Sequence, residues 1–148
     1  MIAPALRAEK IVILDRYYFS TAAYQGAHGA DAESILSENE SFAPQPDLLV
    51  LLDVPPEVGL ARIRERGDEP NKFESEESLG RARGIFQHIQ RPYPLPMDAR
   101  TGIEIIHFHL KHAFLVAAAN KISAHEFSPS GMNRMLELLG ETPIPMTA

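Results

Sequence analysis

The chain has 148 residues, about one domain's worth, and its 14 Lys and Arg against 20 Asp and Glu give a formal net charge of −6. That balance argues against a protein that holds nucleic acid or an anionic membrane mainly by charge. Hydrophobic residues at 45% and charged residues at 23% exclude global disorder, and the absence of cysteine removes disulfides, thiolate zinc sites and a cysteine nucleophile together.

In chain order, Met1 to Lys10 has no charged-then-apolar signal layout, and no apolar run approaches the roughly 18 residues of a membrane span. A cytoplasmic protein is therefore expected. Ile11-Val12-Ile13-Leu14 is a short β-branched run ending in Asp15-Arg16, which predicts a buried strand. A helix opens near Ser20 and closes at Gly26 and Gly29, and Asp31 to Pro46 reads as a short helix plus a loop. Asp47 to Asp53 predicts a second buried strand, again ending in a carboxylate. Pro55-Pro56-Glu57 starts a helix that stops at Gly67, since proline suits a first helical turn. Phe73 to Ile89 predicts another helix with its acidic residues near the N-terminus. Pro92, Pro94 and Pro96 allow only an edge strand over Leu95 to Met97. Ile103 to Ile122 has strong helical spacing, with Ile106, Leu110, Phe114 and Ala117 on one stripe, and a last short helix is expected over Met132 to Leu139. This alternation is α/β with a parallel sheet.

In such sheets ligands sit at the carboxyl ends of strands, where Asp15 and Arg16 are expected. The pair either caps the next turn or places a carboxylate near magnesium and a guanidinium on a phosphate. Ser20 and Tyr24 are four residues apart and share a helix face, with Gln25 beside them. They form either a polar rim or a surface that reads a sugar and a base. Arg62 and Arg66 also share a face, which could suit an anion, although such a run, tempered by Glu65, is usually a solvated surface. His107 points away from His109 and His112, so these three are left as structural.

The string Asp15-Arg16-Tyr17-Tyr18-Phe19-Ser20-Thr21-Ala22-Ala23-Tyr24-Gln25-Gly26 resembles the thymidylate kinases, nucleoside monophosphate kinases of the P-loop class. The family's Asp-Arg-Tyr, Ser, and Ala-Tyr-Gln-Gly agree at every position. The likeness continues through Pro46-Asp47-Leu48, Asp53-Val54-Pro55-Pro56-Glu57, Gly59 to Gly67, which is similar to the helix entering the family's lid, and Met97-Asp98-Ala99. It spans residues 1–122 and leaves 123–148 as a helical, Pro-rich tail. Two positions depart: Asn71-Lys72-Phe73-Glu74 has a lysine where the family has arginine, and His88 stands for a tyrosine.

The resemblance implies a P-loop nucleoside monophosphate kinase-like parallel three-layer sheet and transfer of a phosphoryl group from ATP to dTMP, with Mg2+. Asp15 would belong to the magnesium and phosphate environment, Arg16 would hold the acceptor monophosphate, and Ser20, Tyr24 and Gln25 would line the thymidine pocket. Arg62 would lie against adenine, Arg64 or Arg66 would reach the transferred group, and Asp98 and Ala99 would border adenosine. A P-loop needs G-x-x-x-x-G-K-[ST], yet none of the nine glycines is followed by lysine. The expectation is thus the carboxy-terminal part of such a kinase with its central P-loop strand absent, inactive alone. The alternatives are a non-catalytic remnant, a subunit that pairs with a separate P-loop-bearing fragment, or a kinase for another nucleotide. A homodimer is also expected, with dTMP and ATP as ligands and no nucleic acid or membrane partner.

Overall fold

A computed structural model describes residues 2–68 and 75–123, together with Asn133, Leu136, Glu137 and Gly140. A short helix, α1 (Ile2–Arg7), precedes Ile11–Leu14, which forms no regular secondary structure and makes no ladder. The expected strand is therefore not formed, and Ile13 is 87% and Leu14 45% exposed. A strand needs a hydrogen-bonded neighbour, and no described strand lies beside this run.

Helix α2 (Tyr18–Ala27) is the most buried element, with Tyr18, Phe19, Ala22, Ala23 and Ala27 all covered. Their spacing of three and four puts them on one stripe. Helix α3 (Ala32–Glu40) packs on it and contributes the buried Leu36. The α3 N-terminus is set by Asp31, whose carboxylate accepts the Glu33 N–H at 3.1 Å and the Ser34 hydroxyl at 2.6 Å. Helix α5 (Glu76–Gln87) begins at Ser75, whose hydroxyl oxygen accepts the Ser78 N–H at 3.1 Å, and packs Ala82 and Phe86 against α2. Its start falls at Glu76; the preceding Phe73 and Glu74, like Asn71 and Lys72, lie outside the described residues.

Between these helices runs β1 (Leu49–Asp53), then α4 (Pro56–Glu65), with proline in its first turn as expected. Gly67, at φ +80°, closes α4: its N–H reaches the Arg64 carbonyl at 2.9 Å and the Asp68 N–H reaches Ile63 at 3.2 Å. This paired closure is a Schellman motif, which glycine enters without steric cost.

Strand β2 (Pro94–Asp98) pairs in parallel with β1, Leu49 opposite Pro94 through Asp53 opposite Asp98. The Leu49 N–H bonds the Tyr93 carbonyl and the Ala99 N–H bonds the Asp53 carbonyl. Odd-numbered residues of β2 thus face β1, and Pro94 and Pro96 direct their missing N–H groups to the outer edge. Among the described residues the sheet is two-stranded. It realises the expected parallel α/β pairing without the Ile11–Leu14 strand.

Residues Leu14–Ile103 form one unit; α1 and α6 (Ile103–Ser123) beyond its first residue belong to another. Along α6 the predicted stripe of Ile106, Leu110, Phe114 and Ala117 is half-buried, whereas Ile103, Ile105 and Phe108 are exposed. Of the helix expected over Met132–Leu139, only Asn133, Leu136 and Glu137 are described, and they are helical.

Gly26 sits where α2, α3 and α5 converge. A Cβ there would lie 2.7 Å from Ile85 Cδ1 and 3.0 Å from Ala32 Cβ. The isoleucine methyl can swing aside, but a branched side chain would also meet Ala32. Gly26→Val is expected to destabilise the unit by about 1–3 kcal/mol. An unchanged urea midpoint would show that the seam is not tight.

Candidate functional site

Asp53 and Asp98 end the two strands side by side in register. Each carboxylate is bound by an arginine from a different direction. From α5, Arg83 donates through Nε to one Asp53 oxygen at 2.6 Å and through a terminal nitrogen to the other at 2.8 Å; Gln87, one turn on, donates at 3.2 Å. From the loop after β2, Arg100 donates to Asp98 at 2.7–3.1 Å, and its backbone N–H adds a bond at 2.9 Å. The Arg83 guanidinium holds the Asp53 carboxyl below the usual range, and Arg100 holds Asp98 down at about 2. With Pro55, Pro96 and Met97 these four side chains line an open cavity of about 200 Å³ at the carboxyl ends of the strands. Parallel sheets bind ligands at such ends.

Beside it, the Arg62 guanidinium donates to the Ala99 carbonyl at 2.8 Å, while the Ala99 N–H continues the ladder to Asp53. The structure thus brings Arg62 and Ala99 together next to Asp98. Arg64 and Arg66 are exposed at the end of α4, and Arg66 pairs with Asp68 at 3.3 Å.

Another group lies at the start of α2. Arg16 adopts a left-handed backbone (φ +71°), a conformation costly for a side-chain-bearing residue. Its guanidinium lies 5.4 Å from the centre of the Tyr24 ring, within cation–π reach. Ser20 is half-buried one turn before Tyr24, and Gln25 is exposed. Asp15 is exposed and bonds no described residue. No hydrogen bond or ion pair among the described residues joins this group to the Arg62–Ala99 group.

Glu40 at the end of α3 anchors the far side of α2's packing. Arg91 grips it with two bonds of 2.8 and 3.0 Å, reaches Glu33 at 2.7 Å, and Tyr93 adds a hydroxyl bond at 3.2 Å. Only 15% of the Arg91 side chain and 13% of the Glu40 side chain are exposed. The arginine holds the Glu40 carboxyl below its ordinary value, and burial pushes the Tyr93 phenol up.

Sequence reasoning missed Arg83, Gln87 and Arg100. The readable signal was the i,i+4 spacing of Arg83 and Gln87, which puts two donors on one helix face. Nothing in the sequence says that this face meets Asp53.

Arginine-paired carboxylates thus line a cavity at the carboxyl ends of parallel strands, the place where α/β domains bind ligands. The sequence model of the thymidylate kinase family matches residues 1–108. Thymidylate kinase from Xanthomonas campestris pv. campestris (strain B100) is 46% identical over 140 residues, covering 94% of this chain and 61% of that protein. Thymidylate kinase from Xanthomonas euvesicatoria pv. vesicatoria (strain 85-10) is 44% identical over 144 residues, 97% of this chain and 63% of that protein. A third, from Xylella fastidiosa (strain 9a5c), is 47% identical over 106 residues, 72% of this chain and 50% of that protein. The chain belongs to the thymidylate kinase family. It spans between half and about two-thirds of the length of these relatives. No helix among its described residues is long and apolar enough to cross a membrane.

The carboxyls of Glu40, Asp53 and Asp98 are all depressed by arginine partners. Their stabilisation is complete above the unfolded carboxyl values near ~4 and is lost as pH falls through the folded ones. The thermal midpoint should therefore drop between about pH 5 and pH 2. Glu40→Gln should lower the midpoint at neutral pH and shrink that acid-side drop. An acid limb identical to that of the native chain would remove Glu40 from the account.

Proposed function

We propose that the chain supplies the acceptor pocket, the lid-entry helix and the adenine wall of an enzyme that transfers a phosphoryl group from ATP to dTMP, giving dTDP and ADP. The observation that supports this most is the unbroken Asp15–Gly26 string folded so that Arg16 stands over Tyr24, with Ser20 one turn away. Arg16 holds the acceptor monophosphate, and Ser20, Tyr24 and Gln25 read the thymidine. Arg62, Asp98 and Ala99 border the adenosine, and Arg64 and Arg66 serve the transferred group. Phosphoryl transfer of this class relies on positioning and on positive charge around the phosphates. Asp15, exposed and without a described partner, fits a magnesium ion that keeps several waters and takes one or two carboxylates. The ion supplies charge neutralisation on the phosphates when bound. The chain acts in nucleotide biosynthesis on this reading, in the cytoplasm.

The 148 residues contain no G-x-x-x-x-G-K-[ST], whose backbone amides and lysine would cradle the donor phosphates. The purified chain is expected to give no ATP-dependent phosphorylation of dTMP in a coupled assay. It should still bind dTMP weakly, on the order of millimolar or about −4 kcal/mol, and Arg16→Ala should abolish this binding. Turnover lost on Arg16→Ala would refute the inactivity; equal calorimetric binding of dTMP and AMP would refute the thymidine pocket.

A second reading, a subunit that pairs with a separate P-loop polypeptide or with its own copy, is favoured by exposed apolar residues. Ile13 is 87%, Leu14 45% and Leu52 of β1 58% exposed. Unpaired apolar edges are templates for association. Adding a peptide with a P-loop strand, loop and helix should sharpen thermal unfolding. A cooperative, monomeric melt above about 60 °C without it would rule this out.

A further inference from the structure

We propose that Arg83 acts as a charge-compensating residue for the strand-end cavity, cancelling the Asp53 carboxylate as Arg100 cancels Asp98 so that the cavity admits an anionic ligand of the nucleoside polyphosphate class. This rests on the reading of this end of the sheet as the donor side.

In-register residues on adjacent parallel strands have backbones roughly 4.8 Å apart, so Asp53 and Asp98 bring two negative charges to one cavity wall. Left bare, that wall repels a polyphosphate. The two guanidiniums come from separate elements, Arg83 from α5 and Arg100 from the loop after β2, and bring the sum over the four charged lining side chains to zero, with Glu57 of α4 near enough to act on both arginines. Hydrogen bonding alone does not require this charge. Gln87 already offers Asp53 a neutral donor at 3.2 Å from the same helix face. The Arg83–Asp53 pair is about two-thirds buried, at 34% and 29% side-chain exposure, so water screens it less than a fully exposed pair. The coupling reaches across the wall: Arg83 also lowers the Asp98 carboxyl, and Asp98 raises that of Asp53. A structural clasp and a charge compensator therefore make opposite predictions. A clasp fails whichever partner is removed. A compensator fails only when the positive partner goes.

The test measures ADP, adenosine and dTMP binding to the full 148-residue chain by ligand-observed NMR, for the native chain, Arg83→Gln, Asp53→Asn and the double variant. Arg83→Gln should weaken ADP by about tenfold, equivalent to ~1.4 kcal/mol. Asp53→Asn should leave ADP binding equal or tighter, and the double variant should return it to within about twofold of native. Neutral adenosine should respond to none of them. Weakening by Asp53→Asn as well as Arg83→Gln, or parallel losses for adenosine, would overturn the proposal in favour of a clasp. A native chain that binds dTMP but not ADP would overturn it while leaving the acceptor reading intact. Loss of dTMP recognition with the ADP pattern preserved would instead sink the acceptor reading and leave the compensation standing.

Discussion

The face of α2 that carries Ala22, Ala23, Gly26 and Ala27 controls how closely its neighbours approach. With no side chain larger than a methyl at those positions, α5 seats Ala82, Ile85 and Phe86 directly against the helix, and α3 brings Ala32 up to Gly26. Dense interiors transmit such constraints because little void remains to absorb a displacement. Once α5 is fixed on α2, its two arginines diverge. Arg81 reaches the Ala27 carbonyl at the end of α2, at 3.4 Å, and Arg83 reaches Asp53 at the end of β1. One helix therefore ties the end of α2 to the strand ends. Bulk on α2 would move both contacts together.

The faces of the same helix differ in exposure. Phe19, Ala22 and Ala23 turn inward, while Ser20, Tyr24 and Gln25 remain partly or fully open. Arg16, just before the helix, is held in a left-handed conformation. A residue kept in so sparsely populated a region needs firm surroundings, and the buried Tyr18 and Phe19 lie two and three residues further on.

How much of this was legible follows from which interactions are local. The α4 boundaries were written in Pro56 and Gly67, and the α6 stripe in its periodicity, because caps and spacing act within a few residues. The β2 assignment was legible too, since the alternating prolines permit only an edge strand. Ile11–Leu14 failed for the opposite reason. Its composition is that of a buried strand, but a strand exists only with a partner, and a partner is a long-range fact. The site divides in the same way. The Asp15–Gly26 string is contiguous and could be read directly. The Arg83–Asp53 and Arg91–Glu40 pairs join residues 30 and 51 apart, and no pattern in the sequence selects those partners over other charges.

Three aspartates follow apolar runs, Asp15, Asp53 and Asp98, and composition treats them alike. Their partners do not. A carboxylate that accepts two charged hydrogen bonds has its negative charge offset, so a cation or a proton competes there with a guanidinium already in place. That is the state of Asp53 with Arg83 and of Asp98 with Arg100. Asp15 alone among them is exposed with no described partner. The distribution of arginines thus divides three similar residues into two whose charge is offset and one whose charge is not. Two of the three arginines near these aspartates, Arg83 and Arg100, lie outside the string by which the chain resembles its family. The third, Arg16, follows Asp15 directly and spends its guanidinium on Tyr24 rather than on that carboxylate.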